Sequence, residues 1–168
     1  RLFGRKDFID LSDFIIVPDE VDNGIYKCRV VYSEKIETIE FIPYTIRNIS
    51  SLKLITDNGI DYSHKYQNRG AIDELFSRRG CCDDILIVRN NRLSDTSYCN
   101  IALFDGYRWY TPEYPLLSGT KRQKLIDEKR ILCKDIKAKE LENYREVSVF
   151  NALIEFGEMI VPTENIIL

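Results

Sequence analysis

One lysine stands out by its surroundings. The stretch His64-Lys65-Tyr66-Gln67-Asn68-Arg69 sits between an extended, turn-flanked segment and a clear helix start. An amine held in a fixed position can form a Schiff base or carry a proton once burial or neighbouring groups let it lose its own. Chemistry in this chain would therefore be done from Lys65. A blander reading competes with it, because any one lysine among the 24 Lys and Arg residues is most often a solvated surface charge. Other side chains offer less. His64 could act as acid or base, but a lone histidine more often serves a structural hydrogen bond. Cys81-Cys82 could form a redox pair, yet adjacent cysteines at a helix end read as small buried apolar residues. Lys121, Arg122 and Lys124 could make an anion patch, although at a helix start only the backbone amides have a strong claim on an anion.

The elements that must position Lys65 follow from periodicity. Ser51 to Thr56 predicts a short strand ended by Asp57-Asn58-Gly59. From Asn68 to Arg79, Ala71, Ile72, Leu75 and Phe76 fall on one helical face, with Gly80 as the stop. Lys65 therefore lies just before a helix. Upstream, Arg1-Leu2-Phe3-Gly4 reads as a helix end, and Asp10 to Val17 as one or two helical turns closed by Pro18. After the turn signal Asp22-Asn23-Gly24, residues 25–32 and 36–44 read as an antiparallel hairpin. Downstream, residues 84–88, 92–104 and 107–111 predict a three-stranded meander turning at Asn90-Asn91 and Asp105-Gly106, with an interruption that contains Asp95. Trp109 and Tyr110 in its third strand read as core. Ser118-Gly119-Thr120 opens a helix to about Lys129. A helical run near Ala138 to Tyr144 precedes a strand at 145–150 and a β-rich tail around Met159-Ile160-Val161-Pro162. The polar segment 45–51 divides a small N-terminal lobe, residues 1–46, from a larger C-terminal lobe, residues 47–168.

Composition narrows the classes. A chain of 168 residues, 44% hydrophobic and 30% charged, can bury a globular core. A net charge of −3 and a pI near 5.3 give no general attraction to nucleic acid or an anionic membrane. No run approaches a membrane span, and no signal-peptide pattern opens the chain. The five cysteines, with no CxxC pair, fit reduced thiols in a cytoplasmic setting better than a disulfide frame. With one histidine, a His/Cys zinc site would need scattered ligands, so no metal is expected.

Four segments then fall in a telling order: Lys65-Tyr66-Gln67-Asn68-Arg69; Asp95-Thr96-Ser97-Tyr98-Cys99-Asn100-Ile101; Tyr110-Thr111-Pro112; and Leu117-Ser118-Gly119-Thr120-Lys121-Arg122-Gln123. Asn151-Ala152-Leu153 makes a fifth. Together, over about residues 25 to 160, they resemble the class IV aminotransferase family, the fold type IV pyridoxal-phosphate enzymes. The lysine-then-Asn-Arg and Asn-Ala-Leu pieces are most similar to the 4-amino-4-deoxychorismate lyase branch. The resemblance implies an α+β fold of two lobes: a small N-terminal α/β lobe, curtailed at its start, and a larger β-rich pseudo-barrel lobe with helices that holds the cofactor.

It also implies roles. Lys65 matches the Schiff-base lysine that holds the cofactor aldehyde and moves the proton. Asp95 matches an acidic residue, usually glutamate, that pairs with the pyridine nitrogen and keeps the ring an electron sink. Thr120 and Lys121 match one phosphate-anchoring helix start, and Asn151 with Ala152 match a second. Arg29 lies at a place similar to a strand whose side chains reach the substrate; it is a candidate for binding a carboxylate, with a solvent-facing edge-strand arginine as the alternative. The family's phosphate-clamping arginine would lie upstream of Arg1. The resemblance further implies pyridoxal 5'-phosphate as cofactor, a small amino and carboxylate substrate, and a homodimer. The expected activity is 4-amino-4-deoxychorismate lyase, which releases pyruvate and forms 4-aminobenzoate for folate synthesis. The alternatives are a branched-chain or D-amino-acid aminotransferase and a non-catalytic relic of the family.

Overall fold

The structure is a computed structural model that describes residues 10–21 and 23–168. The helix end expected at Arg1 to Gly4, and Asp22 of the expected turn, lie outside these residues. The chain groups into two compact units, Arg1–Ile46 and Arg47–Leu168. In the first, Asp10 caps a single 3-10 turn at Leu11–Asp13, its carboxylate accepting from the Ser12 amide at 3.0 Å and hydroxyl at 2.8 Å. The helical turns expected over Asp10 to Val17 reduce to that one turn. Strands β1 (Tyr26–Tyr32) and β2 (Ile36–Pro43) form the antiparallel hairpin, in which Arg29 faces Glu40.

The second unit carries the site and contains two sheets. β3 (Leu52–Thr56), α1 (Gly70–Ser77) and β4 (Asp84–Arg89) form a crossover unit in which β3 and β4 run parallel. Ile85, Leu86 and Ile87 are all fully buried, the continuous apolar run expected of a parallel strand covered on both faces. β5 (Arg92–Thr96) pairs antiparallel with β4 across Asn90 and Asn91, whose φ angles of 52° and 62° are the left-handed pair that a tight hairpin requires. With β11 (Ile166–Ile167) on the far edge, this sheet has the order β11-β3-β4-β5.

β6 (Asn100–Phe104) does not extend that sheet. It joins β7 (Trp109–Pro112), β8 (Leu132–Lys134), β9 (Glu146–Phe150) and β10 (Ile160–Pro162) in a second sheet of order β10-β9-β6-β7-β8. The expected three-stranded meander is therefore two hairpin strands in one sheet and two in another. The chain changes sheets between Thr96 and Asn100, in a turn that Thr96 holds closed. Its amide donates to the Cys99 carbonyl at 2.9 Å, and its hydroxyl accepts from the Cys99 amide at 3.0 Å. Asp95 lies within β5, not in the break. α2 (Thr120–Asp127) leads from β7 towards β8, and the run near Ala138 is a 3-10 helix, Ala138–Asn143.

Two apolar clusters hold this unit together. Ile72 and Leu75 of α1 pack on Ile55, Ile85 and Ile87; Leu125 of α2 packs with Ala102, Ile131 and Phe150. Trp109 stacks on Phe104 at 5.0 Å and meets Phe156 edge-on, a packing role as expected. Ala71 is exposed despite its place on the expected apolar face, because α1 is only eight residues long and its buried residues are Ile72 and Leu75. Cys82 is buried as expected but Cys81 is exposed, since only one of two successive side chains can point inward here. No helix among the described residues is long and apolar enough to cross a membrane. Phe150 is fully buried, with Phe156 edge-on at 5.6 Å. Phe150→Ala should destabilise the protein by about 3–5 kcal/mol in denaturant unfolding.

Candidate active site

A cavity of about 310 Å³ opens where the two sheets, α1 and α2 converge, and its lining includes Lys65, Asp95, Thr120, Lys121, Asn151 and Ala152. They arrive from four parts of the chain: Lys65 from the segment before α1, Asp95 from β5, Thr120 and Lys121 from α2, and Asn151 and Ala152 from the turn after β9. Lys65 is exposed and lies in the irregular segment before α1. That segment is pinned on both sides: the Tyr62 hydroxyl donates to the Tyr66 carbonyl at 2.9 Å, and Asn68 Oδ1 accepts from the Gly70 amide at 2.9 Å. His64 Nδ1 lies 3.2 Å from the Ser63 hydroxyl and 3.3 Å from the Tyr66 hydroxyl. It braces this segment and is not part of the lining.

Asp95 is the buried charge of the site. Oδ1 accepts from Asn100 Nδ2 at 2.9 Å and Oδ2 from the Leu117 amide at 2.8 Å. Burial nevertheless dominates and pushes its carboxyl up to about 6, against the pull of those two donors and of the Arg122 guanidinium. Arg122 is itself buried, donating to Thr111 Oγ1 at 3.1 Å and the Pro112 carbonyl at 2.7 Å. Beside Asp95, burial holds the Cys99 thiol up at about 12, so it stays protonated.

The start of α2 borders the same cavity. α2 begins at Gly119, which brings no capping side chain to the first-turn amides. Such amides and the helix dipole together favour an anion. Lys121 reaches over to pair with Glu155. Asn151 shapes a second turn, its Oδ1 accepting from the Leu153 and Ile154 amides at 2.8 and 3.1 Å. Its Nδ2 donates to Cys99 Sγ at 3.3 Å.

These residues suit an aromatic, phosphorylated aldehyde cofactor. An amine, a buried carboxylate able to face a ring N–H, and uncapped amides able to face a phosphate line one cavity. Arg29 belongs to the first unit, where its guanidinium meets Glu40 at 3.1 Å across the hairpin. Tyr62, Arg69, Asn100 and Gly119 are among the further lining residues to which the motifs gave no role. Arg69 donates to the Ser97 carbonyl at 2.8 Å, and three of the four sit inside the motif segments, which was the available signal.

The sequence pattern of the family described as amino-transferase class IV matches residues 40–159. The chain belongs to the class IV aminotransferase family. An uncharacterized protein from Haemophilus influenzae is 33% identical over 144 residues, which is 86% of this chain and 77% of that protein. The crystal structure of a putative 4-amino-4-deoxychorismate lyase from Haemophilus somnus 129PT superposes with a TM-score of 0.74 at 31% identity, covering 78% of this chain and 68% of the other. A hypothetical aminotransferase from Mycobacterium tuberculosis, in its pyridoxal-phosphate-bound form, shares the fold at a TM-score of 0.55 and 13% identity, over 71% of this chain and 48% of its own. This class IV aminotransferase-family chain thus has the α+β fold type IV architecture.

The raised carboxyl of Asp95 has a definite sign. Its folded value of about 6 lies above the ordinary 3.8, so its contribution to stability is complete below about pH 3.8 and is lost as pH rises through about 6. In cofactor-free protein, the stability difference between wild type and Asp95→Asn should shift against wild type by on the order of 3 kcal/mol across that window. Urea unfolding at a series of pH values measures it.

Proposed function

We propose that this chain is a pyridoxal-phosphate-dependent 4-amino-4-deoxychorismate lyase. The observation that carries the reading is that Lys65 and the buried Asp95 line one cavity with the uncapped start of α2. The choice of the lyase within the family is supported by the likeness to the Haemophilus somnus protein. When bound, the cofactor withdraws electrons from the carbon that carries the substrate's amine. Lys65 would hold its aldehyde, Asp95 would face its ring nitrogen, and the amides of Thr120, Lys121 and Ala152 would take its phosphate.

Lys65 then serves as the base. Once free, its Nζ would take the proton from the ring carbon that bears the substrate's amine. The electron pair left on that carbon moves into the ring, and the C–O bond to the enolpyruvyl group breaks. A proton is returned to the departing fragment, which leaves as pyruvate. The ring becomes 4-aminobenzoate, and its aromatisation supplies much of the driving force. The protein's share is to hold the groups in place and to move one proton.

Incubated with pyridoxal phosphate, the protein should acquire a visible absorbance band that Lys65→Ala lacks. With 4-amino-4-deoxychorismate, it should release 4-aminobenzoate and pyruvate, and Lys65→Ala should lose about 100-fold or more of that rate. Transfer of the amine to a keto acid, with no 4-aminobenzoate formed, would replace the lyase by an aminotransferase. Absence of the band in the wild type would remove both enzyme readings.

A further inference from the structure

Asn100, at the first position of β6, makes three contacts that converge on the site. Its Nδ2 donates to Asp95 Oδ1 at 2.9 Å and to the Leu117 carbonyl at 2.8 Å. The amide of the same Leu117 donates to the other Asp95 oxygen at 2.8 Å. Carboxylate, carboxamide and one backbone residue thus close a ring of hydrogen bonds. Two acceptors demand the amino group of Asn100, so its Oδ1 must turn the other way, towards Gly119.

The third contact is with Gly119. A Cβ placed there would overlap Asn100 Oδ1 and lie 3.2 Å from its Cγ; the three nearest atoms all belong to Asn100. The backbone of Gly119, φ −69° and ψ 144°, is open to any L-residue. The glycine is needed here for space and not for conformation, and the occupant of that space is Asn100. Gly119 is also the residue whose missing side chain leaves the first amides of α2 uncapped.

We propose that Asn100 is a positioning residue that orients the Asp95 carboxylate and, through Leu117 and Gly119, locks it to the start of α2, so that carboxylate and helix start are held in one register. The assignment rests on the reading of the cavity as a cofactor site, but its test does not need the cofactor. The charged and titratable groups around Asp95 are Arg122 from α2 and Cys99 from the turn between β5 and β6. Lys65, Arg69 and Lys121, with Tyr62 and Tyr98, line the same cavity. None of them contacts both Asp95 and Leu117 as Asn100 does.

Two measurements on the full, cofactor-free chain decide the matter. Carbon-13 NMR of labelled aspartate follows the Asp95 carboxyl directly. Loss of the Asn100 donor in Asn100→Ala should move its midpoint up by about one pH unit or more, because a hydrogen bond to the ionised form is lost. The second is a thermal double-mutant cycle. Gly119→Ala should lower Tm by about 5 °C in the wild-type background and much less beside Asn100→Ala, where the overlap is gone. If Asn100→Ala proves too unstable to titrate, Asn100→Ser provides the same loss of reach to Asp95 with a smaller cavity. An Asp95 midpoint unchanged in these variants, or a Gly119→Ala penalty equal in both backgrounds, overturns the proposal. Failure of pyridoxal phosphate to bind would instead strike the functional reading and leave both of these measurements valid.

Discussion

A carboxyl group with 4% exposure must be met by donors or lose its charge, and Asp95 is met by two that come from different parts of the chain. One is the side chain of Asn100, across the change of sheets; the other is the backbone of Leu117, in the approach to α2. Much of the larger unit is arranged to make those meetings possible. The Thr96 turn folds the chain back so that positions 95 and 100 face each other. Buried Arg122 ties α2 to β7 through Thr111 and Pro112 while placing a positive charge within reach of Asp95. The donors do not fully offset burial, so the carboxyl is left with a raised proton affinity in the empty cavity. A cationic ring N–H is the kind of partner that would relieve it.

The cavity is lined by a buried carboxylate, by the start of α2 and the turn at Asn151, and by Lys65 on a braced irregular segment. The two sheets supply rigidity: β4 is buried along most of its length and Phe150 closes the second cluster. Of the candidate residues, Lys65, Asn151 and Ala152 lie in loops, whereas Asp95 lies in β5 and Thr120 and Lys121 in α2. Lys65 differs from Asp95 in being exposed, which suits a group that must be approached by substrate.

The hairpin, β3, α1 and α2 were legible in the sequence because each has a local signal, alternation or an apolar face, bounded by turn residues. The pairing of Lys65 with Asp95 in one cavity was legible only through the ordered motifs, since no periodicity brings positions 65 and 95 together. The change of sheets after Thr96 was legible only as an interruption expected around Asp95. Its true place, residues 97–99, was not, because the turn depends on one threonine hydroxyl bonding to a residue three positions on. Asn100 and Gly119 were hidden for a related reason: each looks ordinary alone, and only their contact explains both. Arg29, chosen for its place in a strand, is engaged with Glu40, a neighbour that hairpin register could have exposed.

The central claim is that Lys65 is the amine that holds the cofactor. The most direct measurement is borohydride reduction of the protein in the presence of pyridoxal phosphate, followed by peptide mass spectrometry. The structure predicts a single phosphopyridoxyl mark on Lys65 at stoichiometric yield. A mark on Lys121 or another lysine, or label scattered among surface lysines, would contradict it.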